Sequence, residues 1–566
     1  MFSGLLLAQD VEFKSKNFKT DKAGLKEAQQ NIKSGDAFRQ SAVFNFLNMQ
    51  DANTEAENAD LYYQLAYSFN SNSANLNYKI ASVLLLTNRK EFAKQYLDKA
   101  VSLSSELPVD FSFYKGMVLQ LEGEFNKAIE SYQYFLDNAK KKMLQQYELL
   151  TKRYIEECTW SPSILIDTNR VWIDNLAINS EYDDWSPCLS ADGDLLIFTS
   201  NRENKNGLNE MGFYDQDIYY SNLKGRSFKD MSGLLELNTA TDDVSGGLSY
   251  DGQRLLIYKQ EDGNTDVYES KLNGKYWGKA NRKLGEKLKG GNTEKDETFA
   301  SFDPPDVKVY YITNGGYSGN KDIYFSGVMN RKRNIWGQGQ SAGVVNTKFE
   351  EGSVYIHPDG RTMYFSSKGH ESLGGYDIFV SFVDDLGHWG KPINLGYPIN
   401  TPYDDLFYSA TASGKYAYIA SNRAGGKGGL DIYKVTYWGA DKLMTLDFED
   451  QLISSIASPV SDKSIAEPII FEERSLTVFK GKIIDAVTKN SISAKIDITI
   501  NSTGEIYTSF FSNSATGKFL LSLPAGENYG ISVAAEGYLF HSENFNLPMG
   551  DGFNMVTKDI ELKNIK

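Results

Sequence analysis

Histidine and cysteine are scarce in this chain of 566 residues, with four His and two Cys. His357, His370, His388 and His541 lie far apart, without the spacing of metal ligands. Cys158 and Cys188 are too few for a zinc site or a disulfide framework. The first is expected at a helix end and the second in a strand, either paired or as two buried thiols. No Gly-x-Ser-x-Gly elbow, Gly-x-Gly-x-x-Gly turn or phosphate-binding Gly-Lys-Ser loop occurs. No cofactor, no metal and no enzymatic activity are therefore expected. A basic excess is also missing: 59 Lys and Arg stand against 74 Asp and Glu, a net charge of −15. That argues against nucleic acid as a partner, since phosphate binding needs a basic patch. No run approaches the roughly 20 apolar residues of a membrane span.

What the chain does have is repetition. Asp217-Ile218-Tyr219 recurs as Asp266-Val267-Tyr268, Asp322-Ile323-Tyr324, Asp377-Ile378-Phe379 and Asp431-Ile432-Tyr433, at steps of 49, 56, 55 and 54 residues. A marker precedes each copy: Asn179-Ser180, Asn238-Thr239, Asn292-Thr293, Asn346-Thr347 and Asn400-Thr401. Tight turns fall between them at Asp192-Gly193, Asp251-Gly252 and Asp359-Gly360, with Ser413-Gly414 in the fifth copy. The third copy departs, with Asp303-Pro304-Pro305-Asp306 at that place. A short β-branched or aromatic strand follows each turn. Four strands per 50-odd residues, repeated radially, describe the blades of a β-propeller. A long sandwich or solenoid is the competing reading. Paired carboxylates after each marker, such as Asp183-Asp184, Asp242-Asp243 and Asp404-Asp405, repeat too regularly to single out a catalytic pair. Turn-making is their expected role. The pairs Gly374-Gly375 and Gly428-Gly429 are expected to supply unusual backbone angles.

The string Pro358-Asp359-Gly360-Arg361-Thr362-Met363-Tyr364-Phe365-Ser366-Ser367, trailed by Gly374-Gly375-Tyr376-Asp377-Ile378-Phe379, resembles the PD40 (WD40-like) propeller repeat shared with the TolB propeller. The resemblance covers about 250 residues within 164–448. Arg170–Asn179 is similar to the outer-strand stretch His388–Asn400, so an N-terminal strand is expected to complete the last blade. Five blades are favoured. Six remain open if Lys442–Phe448 joins further strands.

Residues 21–157 read as helices. Ala93, Leu97 and Ala100 align with Ala128, Tyr132 and Phe135 at an offset of 35. The stretch from Gly123 to Tyr132 resembles the second helix of a tetratricopeptide repeat, with a generic bundle as the alternative. Ala37–Met49 and Asp60–Phe69 supply a more degenerate pair, and Tyr147–Cys158 a last amphipathic helix. Residues 449–475 read as a linker. Strands at regular spacing over 476–563 argue a small β-sandwich. Gly481-Lys-Ile-Ile-Asp485, Thr516-Gly-Lys-Phe519, Leu523-Pro-Ala-Gly526 and Gly537-Tyr538 resemble the carboxypeptidase regulatory-like domain. Residues 1–9 read as the remnant of a secretory signal peptide, or as a frayed cytosolic start.

The order of these three units resembles a family of envelope proteins in gliding and type IX-secreting bacteria. That resemblance implies a periplasmic, outer-membrane-associated scaffold that binds outer-membrane or periplasmic envelope proteins, of the cell-wall linker or translocon plug type. A glycan- or peptide-recognition module is the alternative. Family members continue past a segment like Lys558–Leu562 into an OmpA-like domain, so peptidoglycan is expected as a partner only through such a downstream domain. The repeat-defining residues are expected to be structural, and the sequence names no partner-binding residue.

Overall fold

The computed structural model describes residues 9–565 apart from 167–170, 210–211, 226, 262–263, 281, 284–294, 305–306, 317–319, 331–334, 438–475 and 548–552. The first eight residues of the signal remnant, the linker, the Asn292-Thr293 marker and the Lys442–Phe448 stretch lie outside the described residues.

Seven α-helices come first: α1 (Lys22–Leu47), α2 (Asn53–Phe69), α3 (Ala74–Leu84), α4 (Ala93–Leu103), α5 (Phe111–Leu121), α6 (Phe125–Asn138) and α7 (Lys141–Ile166). The first six pack as consecutive pairs. Small residues set the spacing within pairs. A Cβ on Gly35 would lie 2.5 Å from the Tyr63 ring, and one on Gly116 would lie 2.4 Å from the Tyr132 ring. The aligned residues Ala93, Leu97, Ala100, Ala128, Tyr132 and Phe135 are all core. Helices α1, α2 and α7 run longer than the periodicity predicts. Asp21 accepts from the Gly24 N–H and starts α1 ahead of its apolar stripe. Cys158 lies well inside α7, not at a helix end, because the helix continues through Pro162 to Ile166. Cys158 and Cys188 are both buried free thiols.

Five sheets of four or five strands follow. Sheet 1 opens with Asp184–Leu189, sheet 2 with Asp243–Leu248, sheet 3 with Glu297–Phe302, sheet 4 with Glu351–Ile356 and sheet 5 with Asp405–Ala410. Each opening strand lies against that of the next sheet, and that of sheet 5 lies against that of sheet 1. The sheets therefore form a ring. Equivalent straps cross four of its five junctions. Asp243 N–H donates to Gln216 O at 2.8 Å, Glu351 to Lys321 O at 2.9 Å, Asp405 to Tyr376 O at 2.7 Å and, closing the circle, Asp184 to Leu430 O at 2.7 Å. Val171–Asn175 supplies the fourth strand of sheet 5, pairing Val171 with Tyr437 and Asn175 with Tyr433. This gives sheet 5 four strands, as in sheets 1 and 4, with Val171–Asn175 as its outer edge.

The repeated motif holds one register throughout. Asp217 pairs with Ser200, Asp266 with Lys259, Asp322 with Thr313, Asp377 with Ser367 and Asp431 with Ser421. The marker asparagine explains its own recurrence. Asn400 accepts from the Ile378 N–H at 2.7 Å and donates to the Ile378 C=O at 2.8 Å. Asn179 does the same to Ile432, Asn238 to Ile218 and Asn346 to Ile323. Each of these carbonyls also accepts a backbone N–H, from Leu395, Leu176, Leu234 and Ala342 in turn, so the amide supplies the isoleucine N–H with its acceptor and the C=O with a second donor.

Beyond residue 475 two sheets form a sandwich. One has Leu476–Asp485 at its centre beside Lys518–Pro524, and the other has the order Glu505–Phe511, Lys495–Ile500, Glu527–Ala534, His541–Leu547. Phe479, Ile483, Ile496, Ile498, Phe519 and Tyr529 fill the space between them.

Replacing Asn400, which is fully buried, by Ala strands the Ile378 N–H, while the Ile378 C=O keeps the Leu395 N–H. We expect Asn400→Ala to lower unfolding free energy by about 2 kcal/mol. Urea titration checks this; an unchanged midpoint would contradict the backbone-mimic role.

Candidate interaction surfaces

The repeat residues split between the two rims of the ring. The turn glycines Gly193, Gly252 and Gly360 have φ of 77°, 68° and 68°, the left-handed region that the turn demands. Asp359 accepts from Arg361 and Thr362 N–H at 2.8 and 2.9 Å, and Asp251 from Gln253 N–H at 3.0 Å. On the opposite rim Asp377 accepts from Leu373 N–H and the Asn394 amide, and Asp431 from Lys427 N–H and the Asn175 amide. Burial, with Asp215 and Asp243 nearby, pushes Asp217 up to about 6. Asp266 and Asp322 sit buried at the same register.

Of the paired carboxylates, the second member caps its marker. Asp184 accepts from the Ser180 hydroxyl, Asp243 from Thr239, Glu351 from Thr347 and Asp405 from Thr401, at 2.8–2.9 Å. In sheets 1 and 5 an arginine completes the unit. Arg202 pairs with Asp184 and lies 5.1 Å from the Tyr219 ring centre, while Arg423 pairs with Asp405 and lies 5.1 Å from Tyr433. Sheets 2, 3 and 4 lack the arginine, with Glu261, Gly315 and Gly369 at its place; in sheet 4 the change is followed by a histidine. His370 packs on Phe379 instead, at 5.2 Å between centres. Without a cation, Glu351 is pushed by burial up to about 8. Tyr268 is buried in the core that sheets 1 and 2 share, and Tyr324 packs beside the core of sheets 2 and 3.

The axial channel is filled. Trp185, Phe299 and Phe407 meet with ring centres 4.9–6.0 Å apart, and Tyr258 packs edge-on to Phe299 at 4.9 Å. About 40 Å³ remains among the inner strands, space for roughly one water.

The helices dock where sheet 4 is irregular. Arg153 of α7 donates to the Gly369 C=O at 3.0 Å and pairs with Glu157 at 2.9 Å. Gln120 of α5 donates to Glu157 and to the Leu373 C=O, at 2.8 and 3.2 Å. Gly374, at φ 143°, lets Gln120 approach: a Cβ there would lie 2.7 Å from its amide nitrogen. Gly428 and Gly429 serve close approach alone, not unusual angles; a Cβ on Gly428 would lie 1.8 Å from the Tyr182 C=O. Further along, Asn88 donates to Asp183 at 2.8 Å and Lys90 pairs with Asp404. Burial alone would raise Asp404, but Lys90, aided by Lys368 and Asn422, holds it at about 2. None of Gln120, Asn88, Lys90, Arg153 or Glu157 stands out in the sequence. Gly369 at the arginine's place was no signal for them, since sheet 3 carries Gly315 there too.

The other rim receives the sandwich. Lys480 pairs with Asp192 and Asp194 at 3.0 and 3.1 Å. Leu476, Val478 and Leu520 pack on Ala191 and Ala412. Beside this contact a cleft of about 560 Å³ opens between the sandwich and sheets 2 and 3. Among the described residues no His, Cys, Asp and Glu group has the geometry of a metal site, and no helix is long and apolar enough to cross a membrane.

No family model and no curated protein matches the chain. Solved structures do. One is a putative TolB from Agrobacterium tumefaciens, 15% identical, with 62% of this chain and 97% of that one covered and a TM-score of 0.28. Another is a periplasmic gluconolactonase from Pseudomonas aeruginosa, 9% identical over 60% and 88%, TM-score 0.26. A third is a puromycin-hydrolyzing peptidase from Mycobacterium tuberculosis, 13% identical over 47% and 40%, TM-score 0.23. The expectation of no enzymatic activity is corrected here, because hydrolases stand among the matches; the description non-enzymatic is dropped. Likeness this distant assigns no reaction to the chain.

Two outcomes are expected. Arg153→Met leaves Glu157 buried and unpaired, and should cost about 3–5 kcal/mol, or undock the helices with the ring intact. Limited proteolysis between α7 and sheet 1, with scattering for the overall dimension, reads this. Asp404 has a depressed folded value, so its stabilisation is present above about pH 4 and lost as pH falls towards 2. Lys90→Met should therefore lose less stability than the parent chain between pH 5 and pH 3, which denaturant titration at each pH measures.

Proposed function

We propose that the chain is a periplasmic scaffold associated with the outer membrane, binding other envelope proteins through its helical array. In this reading the helices are tetratricopeptide-like, the ring is a five-bladed PD40 propeller and the sandwich is a carboxypeptidase regulatory-like domain. Three successive helix pairs stacked on neighbours make an extended surface suited to polypeptide partners. One observation carries the proposal. The second helix of each pair exposes large apolar or aromatic side chains: Leu61 and Leu65 on α2, Val101 on α4 and Tyr134 on α6, between 46 and 57% exposed. Tyr67 and Tyr96 join α2 to α4 edge-on at 5.5 Å, so these helices adjoin. Apolar side chains repeated along neighbouring helices mark an interaction surface more readily than single ones do.

The periplasm is supported by the reading of residues 1–9 as a signal remnant. A place in type IX secretion or gliding machinery is supported by the order of the three units alone. The test is capture from a detergent-extracted envelope fraction by the tagged chain, with Leu61→Glu/Leu65→Glu in parallel. We expect the parent to retain envelope proteins and the double variant to lose most of them while melting at the same temperature. Retention of glycan without protein would sink the scaffold reading.

A further inference from the structure

The sandwich turns an open strand edge towards the ring. Glu505–Phe511 pairs on one side only, with Lys495–Ile500. Ser512 N–H donates across that ladder to the Ala494 C=O at 2.9 Å. Hydrogen bonding alternates along an antiparallel pair, so Phe511 and Ser509 turn their backbone groups outward. Phe511 shows it directly: its C=O accepts from the Gln253 side-chain amide of sheet 2 at 2.6 Å. That amide occupies the place a partner strand's N–H would take.

The edge looks into the cleft. Five successive residues, Tyr507 to Phe511, line it. Neighbours on a strand point to opposite faces, so they share one cavity only where the strand presents its edge. The far wall includes Arg254, Glu269, Val328 and Trp336. Arg254 and Glu269 lie 3.5 Å apart as a pair. Val328 and Trp336 offer an apolar contact.

Two features select the occupant. Donors and acceptors repeating at strand rise match another backbone; a sugar or small molecule would meet one or two of them. The edge also lacks the usual protection. After Glu505 it reads Ile-Tyr-Thr-Ser-Phe-Phe, with no charge, no Lys and no Pro, and Ile506 and Phe511 are 62 and 59% exposed. Exposed apolar edges invite pairing and are normally blunted. We propose that this cleft binds an extended polypeptide segment of another protein, added as an edge strand to Glu505–Phe511, with one apolar side chain against Trp336. The site is remote from the helical surface and does not rest on it.

The probes are fluorescein-labelled heptapeptides alternating Thr with Val, Leu, Phe or Trp, each with a twin N-methylated at every second residue. Against the full chain, fluorescence polarisation should show binding by at least one peptide and at least tenfold weaker binding by its twin, which lacks the donors. Ser509→Pro removes an outward N–H while sparing the ladder to Lys495–Ile500; it should weaken binding at least tenfold. Gln253→Ala, a change on the ring, frees the Phe511 C=O and should tighten binding. Leu61→Glu/Leu65→Glu should bind as the parent does, which separates this site from the scaffold reading. The proposal is overturned if no peptide binds, if the twins bind equally, or if neither Ser509→Pro nor Gln253→Ala changes affinity. A dimer joined through this edge, dissociating on Ser509→Pro in sedimentation, also overturns it, since the occupant is then a second copy.

Discussion

A side-chain amide that imitates a peptide unit holds sheets 1, 3, 4 and 5 each to a neighbouring loop. The outer strand of sheet 4 is only Ile393–Asn394 long; Leu395 N–H still reaches the Ile378 C=O, but the Ile378 N–H has no partner on that strand. Asn400 supplies the missing acceptor and a second donor to the C=O, and the Thr and acidic residue beside it lock its position. That acidic residue belongs to the next opening strand, whose own N–H straps back across the junction. Pairing within a sheet and joining between sheets thus become one act. The constant gap between marker Asn and carboxylate follows, because an insertion there would break both.

Much of the ring was legible for this reason. Asp-Gly turns, the Asp-Ile-Tyr register and the early strand that completes sheet 5 all rest on local patterns, which a repeat displays several times over. The carboxylate pairs were legible as structural because they recur. The attachments were not legible. Arg153, Gln120 and Lys90 act across more than two hundred residues of chain, and each occurs once. The helix ends were missed where capping and tertiary support, not apolar periodicity, extend α1 and α7. Gly428-Gly429 looked like a conformational need and proved to be one of space.

Two departures from the repeat coincide with an attachment or an opening. Sheet 4 has Gly369 where sheets 1 and 5 carry an arginine, and α7 reaches that carbonyl. The turn of the third copy, where Pro304 stands, borders the cleft below the sandwich. Repetition builds the ring, and these two lapses mark where other parts of the chain meet it.

The strand that completes sheet 5 carries a mechanical consequence. Val171 pairs with Tyr437, so the chain enters and leaves the ring at the same end of one ladder. Tension between the helices and the sandwich, if carried by the covalent chain alone, would peel that ladder bond by bond instead of shearing it all at once. Peeling is the weak direction of a β-ladder. The Arg153–Glu157 anchorage on one rim and the Lys480–Asp192 anchorage on the other place the load elsewhere, passing it through the body of the ring and sparing its clasp.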